Sequence, residues 1–180
     1  MITTTEIEGL LIIDPKKFHD ERGFFYESFH VQKYQEIIGS EYNFVQDNVS
    51  VSKKNVLRGL HFQHSPMAQG KLVSVLNGRV LDVAVDLRKE SATFGKHFMI
   101  ELSRENGIQF WIPPGFAHGF VALEDDTVFN YKCTNYYSPN HEETLAWDDD
   151  ELAIDWQINE PIISAKDLVG KKLVTLKPLL

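Results

Sequence analysis

The feature of this sequence that most restricts its fold is a recurring short run of alternating apolar and polar residues, rich in β-branched and aromatic side chains and closed by turn formers. Such runs cover Ile7 to Ile13, Phe44 to Ser52, Val56 to Phe62, Lys71 to Leu76, Arg79 to Leu87, His97 to Leu102, Gln109 to Ile112 and Thr127 to Thr134. Successive side chains of an extended chain point to opposite faces, so a period of two gives each run one face to bury and predicts a strand. Turn residues separate the runs at Asp14-Pro15, Lys53-Lys54-Asn55, Asn77-Gly78, Arg104-Glu105-Asn106-Gly107 and Asp125-Asp126. They stand where hairpins need them, and Asn77-Gly78 suits a tight primed turn. One helix is predicted over residues 31–38, where apolar side chains return at Val31, Tyr34, Ile37 and Ile38 before Gly39 can end it.

Many short antiparallel strands bury their apolar faces as a sandwich or barrel, and closing a double sheet also disposes of open edges. The predicted fold is therefore mainly β, a jelly roll with a few short helices. A chain of 180 residues, 43% of them hydrophobic, is enough for one core, so residues 1–180 are expected to form one domain. The carboxyl-terminal third is less regular and is expected to pack outside as loops and short helices. There Trp147 and Trp156, flanking Asp148-Asp149-Asp150-Glu151, are read as core plugs.

A net charge of -8 argues against a nucleic-acid surface, which needs clustered outward Lys and Arg. No run approaches the ~18 consecutive apolar residues of a membrane span, and Met1 to Glu6 lack a charged start before an apolar stretch. A soluble, cytoplasmic protein is expected. The single cysteine, Cys133, fits a reducing compartment and is read as a small strand residue rather than a nucleophile.

The segment Pro113-Pro114-Gly115-Phe116-Ala117-His118 resembles the second motif of cupins, in which a turn delivers a histidine into the barrel. A metal-binding cupin also needs two histidines on one side of a strand, whereas His61 and His64 are three apart and face opposite sides of a regular one. No metal is expected. With no dinucleotide fingerprint or phosphate loop either, no cofactor is expected, and any chemistry must be acid–base work by polar groups set inside strands. Arg58, His61, Lys71, His118 and Tyr131 are the outliers. A charge in an apolar strand costs several kcal/mol unless it is paired or faces a wet cavity, so five such groups together predict a polar interior.

At these positions the sequence resembles a known family. The segments Arg58-Gly59-Leu60-His61-Phe62-Gln63, Gln69-Gly70-Lys71-Leu72-Val73, Gly115-Phe116-Ala117-His118-Gly119-Phe120 and Tyr131-Lys132-Cys133-Thr134 look like those of the cupin-type dTDP-4-dehydrorhamnose 3,5-epimerases. The likeness extends in order through Asp20-Glu21-Arg22-Gly23-Phe24-Phe25, Phe44-Val45-Gln46-Asp47-Asn48 and Ser164-Ala165-Lys166-Asp167. It implies a cupin-type double-stranded β-helix that inverts C3 and C5 of dTDP-4-keto-6-deoxy-D-glucose, giving dTDP-4-keto-L-rhamnose for dTDP-L-rhamnose biosynthesis.

By that resemblance His61 is the base, oriented by Asp167; Lys71 stabilises the C4 oxyanion, and Tyr131 is the opposing acid. Gln46, Asp47, Asn48, Arg58, His118, Tyr137, Glu142 and Lys166 would bind substrate, Tyr137 by stacking on the thymine. Arg22 and Glu27 would come from a partner subunit through a crossing amino-terminal strand, making the active unit a homodimer, and Phe25 would also bind substrate. At Ser138-Pro139-Asn140-His141-Glu142-Glu143 the pattern departs, with Glu143 where the resemblance calls for glycine, so either glutamate could make the nucleotide contact. A C3-only or C5-only epimerase shares the same base and acid, and a non-catalytic sugar-nucleotide-binding cupin could keep the cavity alone.

Overall fold

The computed structural model describes residues 1–176. In chain order the strands are β1 (Ile2–Thr4), β2 (Leu11–Ile13), β3 (Phe18–Asp20), β4 (Gly23–Phe25), β5 (Gln46–Ser52), β6 (Val56–Gln63) and β7 (Lys71–Asn77). They continue with β8 (Arg79–Asp86), β9 (His97–Ser103), β10 (Gln109–Ile112), β11 (Phe116–Ala122), β12 (Thr127–Cys133), β13 (Glu142–Thr144) and β14 (Ile162–Ile163). A helix, α1, covers Val31–Ile38 as its spacing predicts, and two short 3-10 turns cover Asp167–Val169 and Leu173–Thr175.

Two sheets face each other as a cupin-type jelly roll. The first runs β1-β2-β10-β7-β12-β5; the second runs β13-β6-β11-β8-β9, with β14 pairing parallel to β6. Between them lies a core that includes Val73, Val75, Val80, Ala84, Phe110, Phe116, Phe120 and Phe129. Phe120 and Phe129 stack with ring centroids 4.1 Å apart, one from each sheet. The outer face of the first sheet buries Trp111 and Leu72 under Tyr34 and Ile38 of α1. The outer face of the second sheet is covered by the carboxyl-terminal segment through Leu145, Leu152, Trp156 and Leu173, with Trp147 packed alongside. Trp156 thus plugs the core, whereas Trp147 is partly buried at its edge. Asp149, from the acidic run, is 4% exposed because its carboxylate accepts from the backbone N–H groups of Glu151, Leu152 and Leu173.

Several expectations are corrected. The turns at Lys53–Asn55, Asn77-Gly78, Arg104–Gly107 and Asp125-Asp126 do not make hairpins: each carries the chain from one sheet to the other. β7 pairs with β10 and β12, and β8 with β9 and β11. Turn chemistry reports that the chain reverses, not which sheet it enters next. At Gly78 (φ +76) a side chain would stand 2.5 Å from Thr127 Oγ1, so glycine is required there by a close crossing rather than by a two-residue hairpin. The run from Ile7 is a strand only from Leu11; Ile7 and Leu10 are buried in the turn before it. β11, every residue of which is buried, lies outside the predicted runs: its sequence does not alternate and carries Ala117, Gly119 and Ala122 where β8 has valines.

One irregularity sets the geometry of the site. His118 of β11 lies opposite His61 of β6, but Phe120 lies opposite Arg58, so Gly59 and Leu60 together oppose Gly119. Gly59 has φ +122, and a side chain on it would meet the Gly119 Cα at 2.6 Å and the His118 carbonyl at 2.8 Å. The bulge changes the parity of β6. Leu57 and Leu60 both turn outward to the carboxyl-terminal core, and Arg58 and His61, three apart, both turn inward. Gly59→Ala is therefore expected to destabilise the fold by about 2–5 kcal/mol, from a strained φ and a backbone clash. Denaturant unfolding tests this; an unchanged midpoint would show that the bulge is not held by the two glycines.

Candidate active site

A cavity of about 530 Å³ opens between the sheets, lined among others by Arg58, His61, Lys71, His118, Phe120, Phe129, Tyr131, Glu142, Lys166 and Asp167. A second pocket of about 290 Å³ shares His61, Lys71, Tyr131 and Glu142 with it and adds Gln46, Asn48, Gln63, Gln69, Cys133 and Tyr137. The five polar residues singled out inside apolar strands all line the larger cavity. His61, Arg58 and His118 come from the second sheet, Lys71 and Tyr131 from the first, so imidazole and phenol stand on opposite walls.

His61 Nε2 is 2.6 Å from Asp167 Oδ1, across 106 residues of sequence. β14 makes this possible by pairing with Val56 and Leu57 and setting the following segment against β6. The Asp167 carboxylate also accepts from the Gly59 N–H at 3.4 Å. Burial pushes its pKa up, but the His61 hydrogen bond and charge, with those from Gly59 and Ser164, outweigh this and hold it below the usual carboxylate value. The carboxylate fixes Nε2 as the proton-bearing nitrogen, so Nδ1 is the basic one.

Lys71 is 9% exposed and donates to the His61 carbonyl at 3.3 Å. Burial lowers its pKa, against the opposing pull of Cys133, Glu142 and Asp82. Burial raises the pKa of the Tyr131 phenol, with Cys133, Glu142 and Tyr137 acting the same way against Arg58, so the phenol keeps its proton. His118 is held at 2.9 Å by Asp82, a fully buried carboxylate on β8. Asp82 is the residue that sequence reasoning missed, although a lone carboxylate in the run Arg79-Val80-Leu81-Asp82-Val83-Ala84 carries the same signal as the others.

At the mouth, Tyr137 OH donates to Glu142 Oε2 at 2.7 Å and Lys166 Nζ donates to the same oxygen. The Tyr137 N–H donates to Gln46 Oε1 at 2.9 Å, and Gln46 donates to Asn48 at 3.0 Å. Arg58 donates to Ser52 Oγ at 3.1 Å. Of the two glutamates, Glu142 lines the cavity, while Glu143 turns the other way to His64 and Lys171. Asp47 is not brought to the site: alternation along β5 puts it on the opposite face from Gln46 and Asn48, paired with Lys132 at 2.8 Å. Arg22, Phe25 and Glu27 do not reach this chain's cavity either. Arg22 pairs with Asp20 on the exposed β3–β4 hairpin, Phe25 is 68% exposed, and Glu27 pairs with Lys33 at 2.7 Å. Cys133 is buried on β12 and its sulfur accepts from Asn48, in keeping with a strand residue. Among the described residues no three His, Cys, Asp or Glu side chains group as metal ligands, and His64 lies away from His61.

A jelly roll with a carboxylate-backed imidazole facing a phenol beside a buried ammonium is the equipment of a proton-transferring isomerase. The sequence matches the profile of the dTDP-4-dehydrorhamnose 3,5-epimerases over residues 4–175, and the chain belongs to that family. It is 55% identical over 174 residues to a dTDP-4-dehydrorhamnose 3,5-epimerase of Salmonella typhimurium, covering 96% of this chain and 95% of the relative. The Escherichia coli relative of the same description is 51% identical, covering 99% and 96%. The fold superposes with a TM-score of 0.95 on the dTDP-6-deoxy-D-glucose-3,5-epimerase of Legionella pneumophila, solved with dTDP-4-keto-L-rhamnose. That protein is 51% identical, covering 100% of this chain and 98% of its own.

The environment of His118 predicts a pH effect on stability. Burial leads, with Lys71 and His61 adding to it against Asp82, and the folded pKa lies below the ordinary 6.5. The folded state then binds fewer protons than the unfolded one, so this contribution is present above pH 6.5 and is lost as the pH falls below it. Unfolding free energy measured from about pH 8 to about pH 5 should fall less steeply in His118→Gln than in the parent, by at most about 1.4 kcal/mol per pH unit. Equal slopes would show that His118 does not drive the acid limb.

Proposed function

We propose that this chain inverts C3 and C5 of dTDP-4-keto-6-deoxy-D-glucose through enolates, giving dTDP-4-keto-L-rhamnose. The observation that carries the reading is the pair His61 and Tyr131 on opposite walls of one cavity, with Lys71 beside them. The C4 ketone acidifies the hydrogens on its neighbours, so inversion needs a base on one face, a group to hold the enolate oxygen and an acid on the other face. His61 removes the proton through Nδ1, and Asp167 stabilises the imidazolium that forms. Lys71 holds the developing C4 oxyanion in a low-dielectric site, where a cation is worth more than in water. Tyr131 delivers a proton from the far wall. Arg58 and His118 bind near the sugar, and Gln46, Asn48, Tyr137 and Lys166 receive the nucleotide end.

The supply of protons from two sides gives a direct test. In heavy water His61→Ala should lose both inversion and deuterium uptake, since no group remains to form the enolate. Tyr131→Phe should still take up deuterium with retained configuration while inversion is much reduced, because His61 returns a solvent-derived deuteron to the face it deprotonated. Normal inversion by Tyr131→Phe, followed by proton NMR of the product, would remove it as the acid.

A homodimer with an exchanged amino-terminal hairpin completes the reading. It is supported by Arg22, Phe25 and Glu27 standing away from their own cavity, and by the exposure of Phe18, Phe24 and Phe25 on a two-stranded hairpin. Three exposed phenylalanines are a surface that a partner subunit would cover. Arg22→Ala and His61→Ala proteins, each inactive alone, should regain about a quarter of the parental sites when unfolded and refolded together, because half the dimers are mixed and each has one intact site. No recovery in mixed dimers would mean that each site is built by one chain. The compartment we propose is the cytoplasm, in keeping with the single buried thiol Cys133. Within the described residues no helix is long and apolar enough to cross a membrane.

A further inference from the structure

The two cations and the phenol at the cavity mouth are not arranged alike. Arg58 leans on neutral oxygens, the Ser52 hydroxyl at 3.1 Å and the Val51 carbonyl at 3.4 Å. Lys166 instead closes on a carboxylate, Glu142, whose single oxygen Oε2 takes both the Lys166 ammonium and the Tyr137 hydroxyl. Glu142 is 11% exposed at its side chain, whereas Lys166 is 51% exposed and Tyr137 half-exposed. Glu142 belongs to both pockets, so its charge sits where the two meet.

Resting on the reading of the cleft as a nucleotide-sugar site, we propose that Glu142 is a positioning residue acting through Lys166. It is the counter-ion of Lys166, and an incoming nucleoside diphosphate displaces it from the ammonium. The carboxylate occupies the electrostatic place of the ligand's phosphates: one anionic oxygen gathers a donor from the loop after β12 and another from the segment before Asp167. A diphosphate offers the same ammonium more charge and more oxygens. Lys166 is exposed enough to swing, and the more buried Glu142 stays behind on β13. Its folded pKa supports an ionised group there: burial raises it, and Lys166, Tyr137 and His61 together overcome that rise. Glu142 thereby keeps Lys166 and Tyr137 at the mouth, at the expense of competing with the ligand's phosphates for the ammonium.

Glu142→Gln keeps a carbonyl oxygen for Tyr137 and removes the charge. Calorimetric titration with dTDP should show affinity rising about 2- to 5-fold, the scale of a partly exposed ion pair. Titration with thymidine, which has no phosphate, should be unchanged. In a Lys166→Met background the same substitution should leave the change in dTDP affinity at less than half, since the ammonium being contested is gone. Weaker dTDP binding by Glu142→Gln, or a matching change with thymidine, would make Glu142 a direct or merely structural contact and overturn the inference. An undiminished effect in the Lys166→Met background would overturn it too. Failure of the parent chain to bind dTDP at all would instead count against the functional reading. Should Glu142→Gln not fold, Glu142→Asp, which retracts the carboxylate by one methylene, should shift dTDP affinity the same way while thymidine affinity holds.

Discussion

Ionisable groups can sit between two apolar sheets only if something offsets the water they lose, and the pairings that do so are what organise this molecule. His61 has Asp167, His118 has Asp82, Glu142 has Lys166 and Tyr137, and Lys71 has the His61 carbonyl. An uncompensated charge at any of these places costs several kcal/mol, which is comparable to the net stability of a domain. The partners are drawn from β6, β8, β13 and the segment after β14, so satisfying the charges also fastens separate parts of the chain to each other. Lys71 alone among them has a neutral carbonyl rather than a charged group as its hydrogen-bond partner, and burial lowers its pKa. Holding a cation in such a place is worthwhile only where negative charge will appear.

The alternation of β5 and the helical stripe of α1 could be read directly, because each has one buried and one more exposed face, and β7 and β12 declare themselves by their β-branched and aromatic residues although α1 covers part of the outer face of β7. Sheet membership could not. A reversing turn looks the same whether the next strand pairs with the last or crosses to the opposite sheet, and here the short turns cross. β11 was hidden because Phe116-Ala117-His118-Gly119-Phe120-Val121-Ala122 has small residues and a glycine in place of the β-branched residues that mark the similarly buried β8.

The polar outliers Arg58, His61, Lys71, His118 and Tyr131 were legible as an interior set, but their common orientation was not derivable from spacing alone. Arg58 and His61 share a face only because two residues of β6 oppose Gly119. Asp167 could be matched to His61 by resemblance, whereas spacing alone gives no hint of a partner 106 residues away. Which of Glu142 and Glu143 lines the cavity was open in the sequence and follows from strand parity, since neighbours on β13 must face opposite ways.

The crossing turns have a kinetic consequence. With strands dealt alternately to the two sheets from β5 to β12, apart from the consecutive β8 and β9, most neighbours in space are far apart in sequence. β6 waits for β11, β5 waits for β12, and β2 waits for β10. Loop closure must come before any of these pairings, which places such a topology among slow-folding β-proteins, on the millisecond-to-second scale. A nascent chain released at β10 would hold most of the first sheet yet lack β11 and β12, and with them His118 and Tyr131. The cavity is therefore completed late: β6 with its base gains its neighbour only when β11 is added, and the phenol arrives only with β12.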